Sequence, residues 1–148
     1  MESAAVPLSQ RYVGPPFDEA KVHDAMRVGV VTCRPSTSLA DVSRMMVGYG
    51  IHSVVVSDPA EASAPWGIVS ALDVARASAE GSLEKTAGDV ATRDVITVPA
   101  NASLHEAAEV MASHGVSHLI AVQPETDQPV GVVSALGLTT VAASSPHA

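Results

Sequence analysis

Apolar residues in this chain fall into two kinds of run. Ser53–Val56 and His118–Val122 hold compact, β-branched stretches bounded by turn residues, a pattern that predicts buried strands. Val30–Cys33 and Val95–Val98 read the same way, each closed by a proline, Pro35 or Pro99. Between these runs, Leu39, Val42, Met45, Met46 and Tyr49 recur at helical spacing, as do Leu104, Ala107, Ala108 and Met111. Ser38 with Asp41, and Ser103 with Glu106, are capping-box-like starts. Gly50 and Gly115 stand where a glycine stops a helix.

The order of runs occurs twice. A shift of 65 aligns Asp24 with Asp89, Thr32 with Thr97, Leu39 with Leu104, Met46 with Met111 and Gly50 with Gly115. After a one-residue difference in a loop the shift is 64, and two octets align: Gly67-Ile68-Val69-Ser70-Ala71-Leu72-Asp73-Val74 and Gly131-Val132-Val133-Ser134-Ala135-Leu136-Gly137-Leu138. Each octet closes a strand, predicted over Trp66–Ser70 or Val130–Ser134, and opens a helix, Leu72–Glu80 or Leu136–Ala143. The third strands follow loops Ser57–Pro65 and Gln123–Pro129. Short turns or helical segments, Val22–Met26 and Ala87–Ala91, precede the first strands. The unit is β-α-β-β-α, twice, a tandem duplication rather than a solenoid. The predicted organisation is an irregular Pro-containing arm over 1–20, one motif over 21–83, a second over 84–143 and a frayed tail over 144–148.

A three-stranded sheet with two helices cannot cover both its faces at about 60 residues. The expected fold is therefore α+β, with two such motifs in a pseudo-twofold arrangement and their sheets packed face to face. At 148 residues the chain is large enough to fold without a disulfide or metal.

Charge and composition exclude several function classes. Eight Lys and Arg face 16 Asp and Glu, for a formal net charge of -8, and the basic residues are scattered singly. No basic stripe is available for DNA, RNA or an anionic membrane surface. The single cysteine, Cys33, precludes an internal disulfide and suits a reducing compartment, and the first residues lack a signal-peptide pattern. A cytoplasmic protein without membrane spans is expected. No Gly-x-Ser-x-Gly, P-loop or Gly-x-Gly-x-x-Gly motif is present, and no enzyme is predicted. His114 and His118 are four apart but separated by Gly115, and no metal site is expected.

The octets carry the candidate chemistry. Ser70 lies where strand becomes helix, so backbone amides at that helix start carry partial positive charge and suit a phosphate. Asp73 falls in the first helical turn, where its carboxylate can accept hydrogen bonds from a ribose diol. The same spacing also reads as a plain capping box, Ser70 at N-cap and Asp73 at N3.

The duplicated unit, with its Gly-hydrophobe-hydrophobe-Ser-x-x-Asp strand ending, resembles a tandem pair of CBS (cystathionine β-synthase) motifs, a Bateman module. The resemblance covers residues 21–143. It implies a regulatory sensor that binds an adenosine-containing ligand (AMP, ADP, ATP, S-adenosylmethionine, NAD or a cyclic dinucleotide) in the cleft between motifs. Such a module signals by conformational change to a protein effector and commonly forms a disk-like homodimer.

Carried onto this chain, the resemblance implies a site with Ile68, Ser70 and Asp73 from the first motif. Val95 and Ile96 would flank the adenine, and Val116, Ser117 and His118 would lie towards ribose and phosphate. His118 is either a phosphate contact or an ordinary strand residue. The mirror-image site would use Val30, Val31, His52, Ser53, Val132, Ser134 and Gly137. Gly137 departs from the family pattern and has no side chain to hold a ribose, so this second site is expected to be degenerate. The nearest basic residues in sequence are Arg34 and Arg93, which favours AMP or S-adenosylmethionine over a triphosphate. The alternative is a ligand-free dimerisation or protein-interaction module, its octets merely capping helices.

Overall fold

The computed structural model describes residues 12–58, 60 and 66–144. Residues 1–11 of the predicted arm, positions 59 and 61–65 of the predicted Ser57–Pro65 loop, and residues 145–148 of the predicted tail lie outside the described residues. The element order is α1 (Val22–Ala25), β1 (Arg27–Val28), β2 (Thr32–Cys33), α2 (Leu39–Tyr49), β3 (Ser53–Val56), β4 (Gly67–Ser70), α3 (Ala71–Ala79), α4 (Ala87–Val90), β5 (Thr97–Pro99), α5 (Leu104–His114), β6 (His118–Val122), β7 (Pro129–Ser134) and α6 (Ala135–Ser144). The class is α+β, with β-α-β-β-α occurring twice and a one-turn helix before each copy. These elements form two compact units: among the described residues, 29–96 make one, and 12–28 with 97–144 make the other.

In the Gly29–Ile96 unit, β2 pairs parallel with β3, and β3 antiparallel with β4. α2 starts where the sequence predicts: the Ser38 hydroxyl accepts from the Asp41 amide at 3.1 Å. It ends at Gly50, whose left-handed backbone (φ 65) lets its amide turn back to Met46 and Val47 carbonyls. Leu39, Val42 and Met46 pack with Val54, Val56, Val69 and Ala77 in one core. Met45 is half-buried against it. Tyr49, expected in the same apolar stripe, is instead 64% exposed: it is the last residue of the helix and has turned off the core face.

In the other unit the sheet order is β1-β7-β6-β5. β5 runs parallel to β6; β7 lies antiparallel to both β6 and β1. Leu104, Ala107, Met111, Leu119, Val133, Leu138 and Val141 are buried. Residues 12–20 dock on this unit: the Phe17 ring meets His105 edge-on at 5.0 Å, and His105 Nε2 lies 2.7 Å from Asp18 Oδ1. Ser144, placed in the expected tail, still belongs to α6, its hydroxyl donating to the Thr140 carbonyl at 2.8 Å.

The compact units cut across the sequence repeats. α4 opens the second repeat yet packs in the Gly29–Ile96 unit, with Ala87 fully buried and its amide donating to the Thr37 carbonyl at 2.7 Å. α1 opens the first repeat yet packs in the other unit, where the Val22 and His23 amides donate to the Ala102 and Ala100 carbonyls. β1 has no counterpart in the sequence expectation. It forms because the chain leaving α1 runs antiparallel along β7, pairing Arg27 with Val132 and Val28 with Gly131. The equivalent contact after α4 is a single bridge, Thr92 to Ile68.

The first strands are shorter than expected. Val30, Val31, Val95 and Ile96 lie outside the ladders, although the Val31 carbonyl still accepts from the Val55 amide at 3.0 Å.

Candidate functional site

β4 delivers Ser70 to the start of α3. Ser53 pairs with Ser70 across the sheet, and the Ala71 amide donates to the His52 carbonyl at 2.8 Å. Ser70 is the N-cap, in extended backbone, and its box with Asp73 is complete. The Ser70 amide and hydroxyl both donate to Asp73 Oδ2, at 2.8 and 3.0 Å, and the Asp73 amide donates back to Ser70 Oγ at 3.3 Å. The capping role is therefore realised. Two of the first three amides of α3 have protein acceptors, which reduces what that helix start can offer a phosphate. Asp73 is half-buried, and both bonds use Oδ2; among the described residues none uses Oδ1.

The second octet repeats the backbone arrangement without the carboxylate. The Ala135 amide donates to the Ser117 carbonyl at 2.8 Å, and the Gly137 amide to Ser134 Oγ at 2.9 Å. Nothing returns to the Ser134 amide from position 137. A Cβ at Gly137 would stand 3.1 Å from the Ala25 carbonyl oxygen, so the close passage of α1 favours glycine there.

The opening glycines of both octets are fixed by the exchanged segments. A Cβ at Gly67 would lie 2.9 Å from the Thr92 carbonyl oxygen, and one at Gly131 would overlap the Arg27 carbonyl oxygen. The glycine that marks each octet is thus explained by strand pairing, independently of any ligand.

The expected site residues divide between the units. Ile68, Ser70, Asp73, Val95 and Ile96 all belong to Gly29–Ile96, as do Val30, Val31, His52 and Ser53 of the mirror-image set. Val116, Ser117, His118, Val132, Ser134 and Gly137 belong to the other unit. There the Ser117 hydroxyl lies 3.1 Å from His118 Nδ1, and His118 pairs with Ser134. Thr92 holds the approach to Val95 against Ile68 through two backbone bonds, of 3.0 and 2.9 Å.

One pairing was not legible beforehand. Arg93 donates Nε–H to the Trp66 carbonyl at 2.7 Å, and its guanidinium carbon lies 3.4 Å from the centre of the Trp66 ring. The two residues are 27 apart in sequence, so no local pattern links them.

Cys33 is buried, and burial raises its thiol pKa, with the Thr37 hydrogen bond opposing; it behaves as a small core side chain. Among the described residues no three His, Cys, Asp or Glu side chains gather as a metal site, and no helix is long and apolar enough to cross a membrane.

Comparison with known proteins agrees with this architecture. The CBS domain pair of protein MJ0100, in complex with 5′-methylthioadenosine and S-adenosyl-L-methionine, superposes with a TM-score of 0.69 at 22% identity, over 81% of this chain and 93% of that one. The CBS domain protein PAE2072 from Pyrobaculum aerophilum, complexed with AMP, gives 0.69 at 24% identity, over 80% and 89%. Homoserine O-acetyltransferase of Methanosphaerula palustris is 28% identical over 132 residues, 88% of this chain but 26% of that protein. The enzyme of the same name from Methanocorpusculum labreanum is 33% identical over 99 residues, 66% of this chain and 19% of that protein. The chain thus spans about a quarter of the length of these curated relatives, or less. The CBS domain model matches residues 22–80 and again 87–142, one match on each repeat. Two matches on two copies of one β-α-β-β-α unit make this chain a tandem member of the CBS domain family.

Proposed function

We propose that this chain is a regulatory module that binds an adenosine-containing ligand at the Asp73 octet and passes the binding event to a protein effector. One observation carries the reading: Asp73 accepts from the Ser70 amide and hydroxyl through Oδ2, while no described residue bonds Oδ1, which leaves it to a hydroxyl pair. Ile68, Val95 and Ile96 supply apolar surface in the same unit, and Thr92 fixes their approach. Val116, Ser117 and His118 complete the residue set that the family resemblance implies. AMP is the favoured ligand, since few basic side chains are at hand for further phosphates, and PAE2072 was solved with AMP. S-adenosylmethionine follows, as a ligand of the MJ0100 pair. The Gly137 octet offers no equivalent carboxylate, so one ligand per chain is expected. A homodimer and a cytoplasmic location belong to the same reading, and no catalytic role is included.

The competing reading is a ligand-free interaction module, favoured by the complete capping box, which accounts for Asp73 without any ligand. A thermal-shift panel with AMP, ADP, ATP, NAD and S-adenosylmethionine separates the two. A ligand at 100 times its dissociation constant adds about 2.7 kcal/mol. Absence of any shift supports the interaction module. Asp73→Glu sharpens the outcome: glutamate is at home at N3 of a capping box, so stability is kept, while the displaced carboxylate loses ligand affinity.

A further inference from the structure

We propose that Arg93 is a positioning residue for the adenosine site, an inference that rests on the reading above. It is bonded to the Trp66 carbonyl through Nε and stacked on the Trp66 ring at 3.4 Å, so it fastens the segment after α4 to the residue that leads into β4. Between Arg93 and the octet, Thr92 pairs with Ile68 in both directions. Beyond it, the Val95 amide donates to the Arg93 carbonyl at 2.8 Å, a tight turn that sets where Val95 and Ile96 leave the strand edge. Arg93 therefore controls the distance between the apolar segment proposed to flank the adenine and the Ser70–Asp73 pair proposed to hold the ribose. A planar guanidinium is needed, because one side chain must both stack and donate laterally.

The second repeat serves as an internal control. The repeat register places Val28 opposite Arg93 and Val130 opposite Trp66. β1 still pairs with β7, but Val28 is 81% exposed, and neither residue offers a cation or an aromatic face. An Arg–Trp pair at these register positions thus accompanies the octet that keeps its carboxylate, whereas Val28 and Val130 stand there beside the octet that has Gly137. Strand pairing alone does not need an Arg–Trp pair, since β1 pairs with β7 where the register holds Val28 and Val130.

The experiment is calorimetric titration of wild type, Arg93→Ala and Arg93→Lys with AMP, S-adenosylmethionine and plain adenosine. Trp66, the only tryptophan, gives a fluorescence readout, and amide hydrogen exchange is followed at Ile68 and Thr92. Arg93→Ala is expected to weaken every one of these ligands that binds by the same factor, about fivefold, the scale of one exposed cation–π contact. The Trp66 emission shifts without ligand, and the Ile68 and Thr92 amides exchange faster. Arg93→Lys is expected to restore little. A loss confined to AMP, or full rescue by lysine, would mean that the charge contacts phosphate directly and would overturn positioning. Equal affinity in wild type and Arg93→Ala would overturn it as well. If wild type binds none of the three, the ligand reading fails instead; the exchange rates and Trp66 emission then still show whether Arg93 fastens the segment.

Discussion

The capping box at the first octet is open to direct measurement. Asp73→Ala removes the acceptor for two Ser70 donors, at 2.8 and 3.0 Å, and a negative charge from the first turn of α3. Loss of a cap costs about 1 kcal/mol and loss of the N-terminal charge about 0.3–1 kcal/mol, so about 1–2 kcal/mol is expected in all. At this chain length that lowers the melting temperature by about 3–8 °C. Ser70→Ala breaks the same box from the other side. The two changes therefore should not add: a double-mutant cycle is expected to show a coupling of about 0.5–1.5 kcal/mol. Urea unfolding supplies the assay, with the midpoint falling and the slope unchanged. The second octet is the comparison, because Ser134→Ala removes one accepted bond, from Gly137, with no carboxylate to orphan; about 1 kcal/mol or less is expected. An unchanged midpoint for Asp73→Ala, or strict additivity with Ser70→Ala, would refute the reciprocal box and leave the carboxylate without its structural role.

Three further outcomes follow from the same geometry. Gly131→Ala should destabilise by about 1–3 kcal/mol, since its Cβ meets the Arg27 carbonyl and, at 2.8 Å, Met26 Sδ, so β1 must leave β7; chemical unfolding reads the loss. Gly137→Ala should gain less than the about 1 kcal/mol that replacing a helical glycine returns, because its Cβ lies 3.1 Å from the Ala25 carbonyl; a full gain would show that α1 yields freely. Acidification should weaken the α4 cap. Hydrogen bonds from Thr86, backbone first, hold the Asp89 carboxyl below its ordinary value, so its stabilisation is present above the unfolded pKa of 3.8 and lost as pH falls through the lower folded value. Asp89→Asn should flatten that part of the acid limb in a pH series of thermal melts; an unchanged limb counts against the cap.

Much of the local architecture was legible in the residues. Ser38, Ser103, Gly50 and Gly115 bound their helices where spacing predicted, because cap and stop chemistry is satisfied within one turn of chain. The Ser70–Asp73 pair was legible for the same reason, as a capping box. Tyr49 failed as a core residue because periodicity does not tell which turn of a helix has passed the edge of the core. The pattern also overextended the first strands: Val30, Val31, Val95 and Ile96 are apolar but outside the ladders. Apolarity predicts burial, whereas ladder membership depends on a neighbouring backbone.

By itself the sequence determined the repeat, its β-α-β-β-α order and the difference between Asp73 and Gly137, since these rest on short-range pattern and on self-similarity. Only the tertiary structure decided that each compact unit takes its opening helix from the other repeat, and that Arg93 stacks on Trp66. It also decided why the octets begin with glycine: a backbone from elsewhere in the chain passes within contact of Gly67 and Gly131. Such contacts join residues far apart in the chain, and no local periodicity records them. They exist because an exposed strand edge with free amides and carbonyls finds its partner wherever the folded chain brings one.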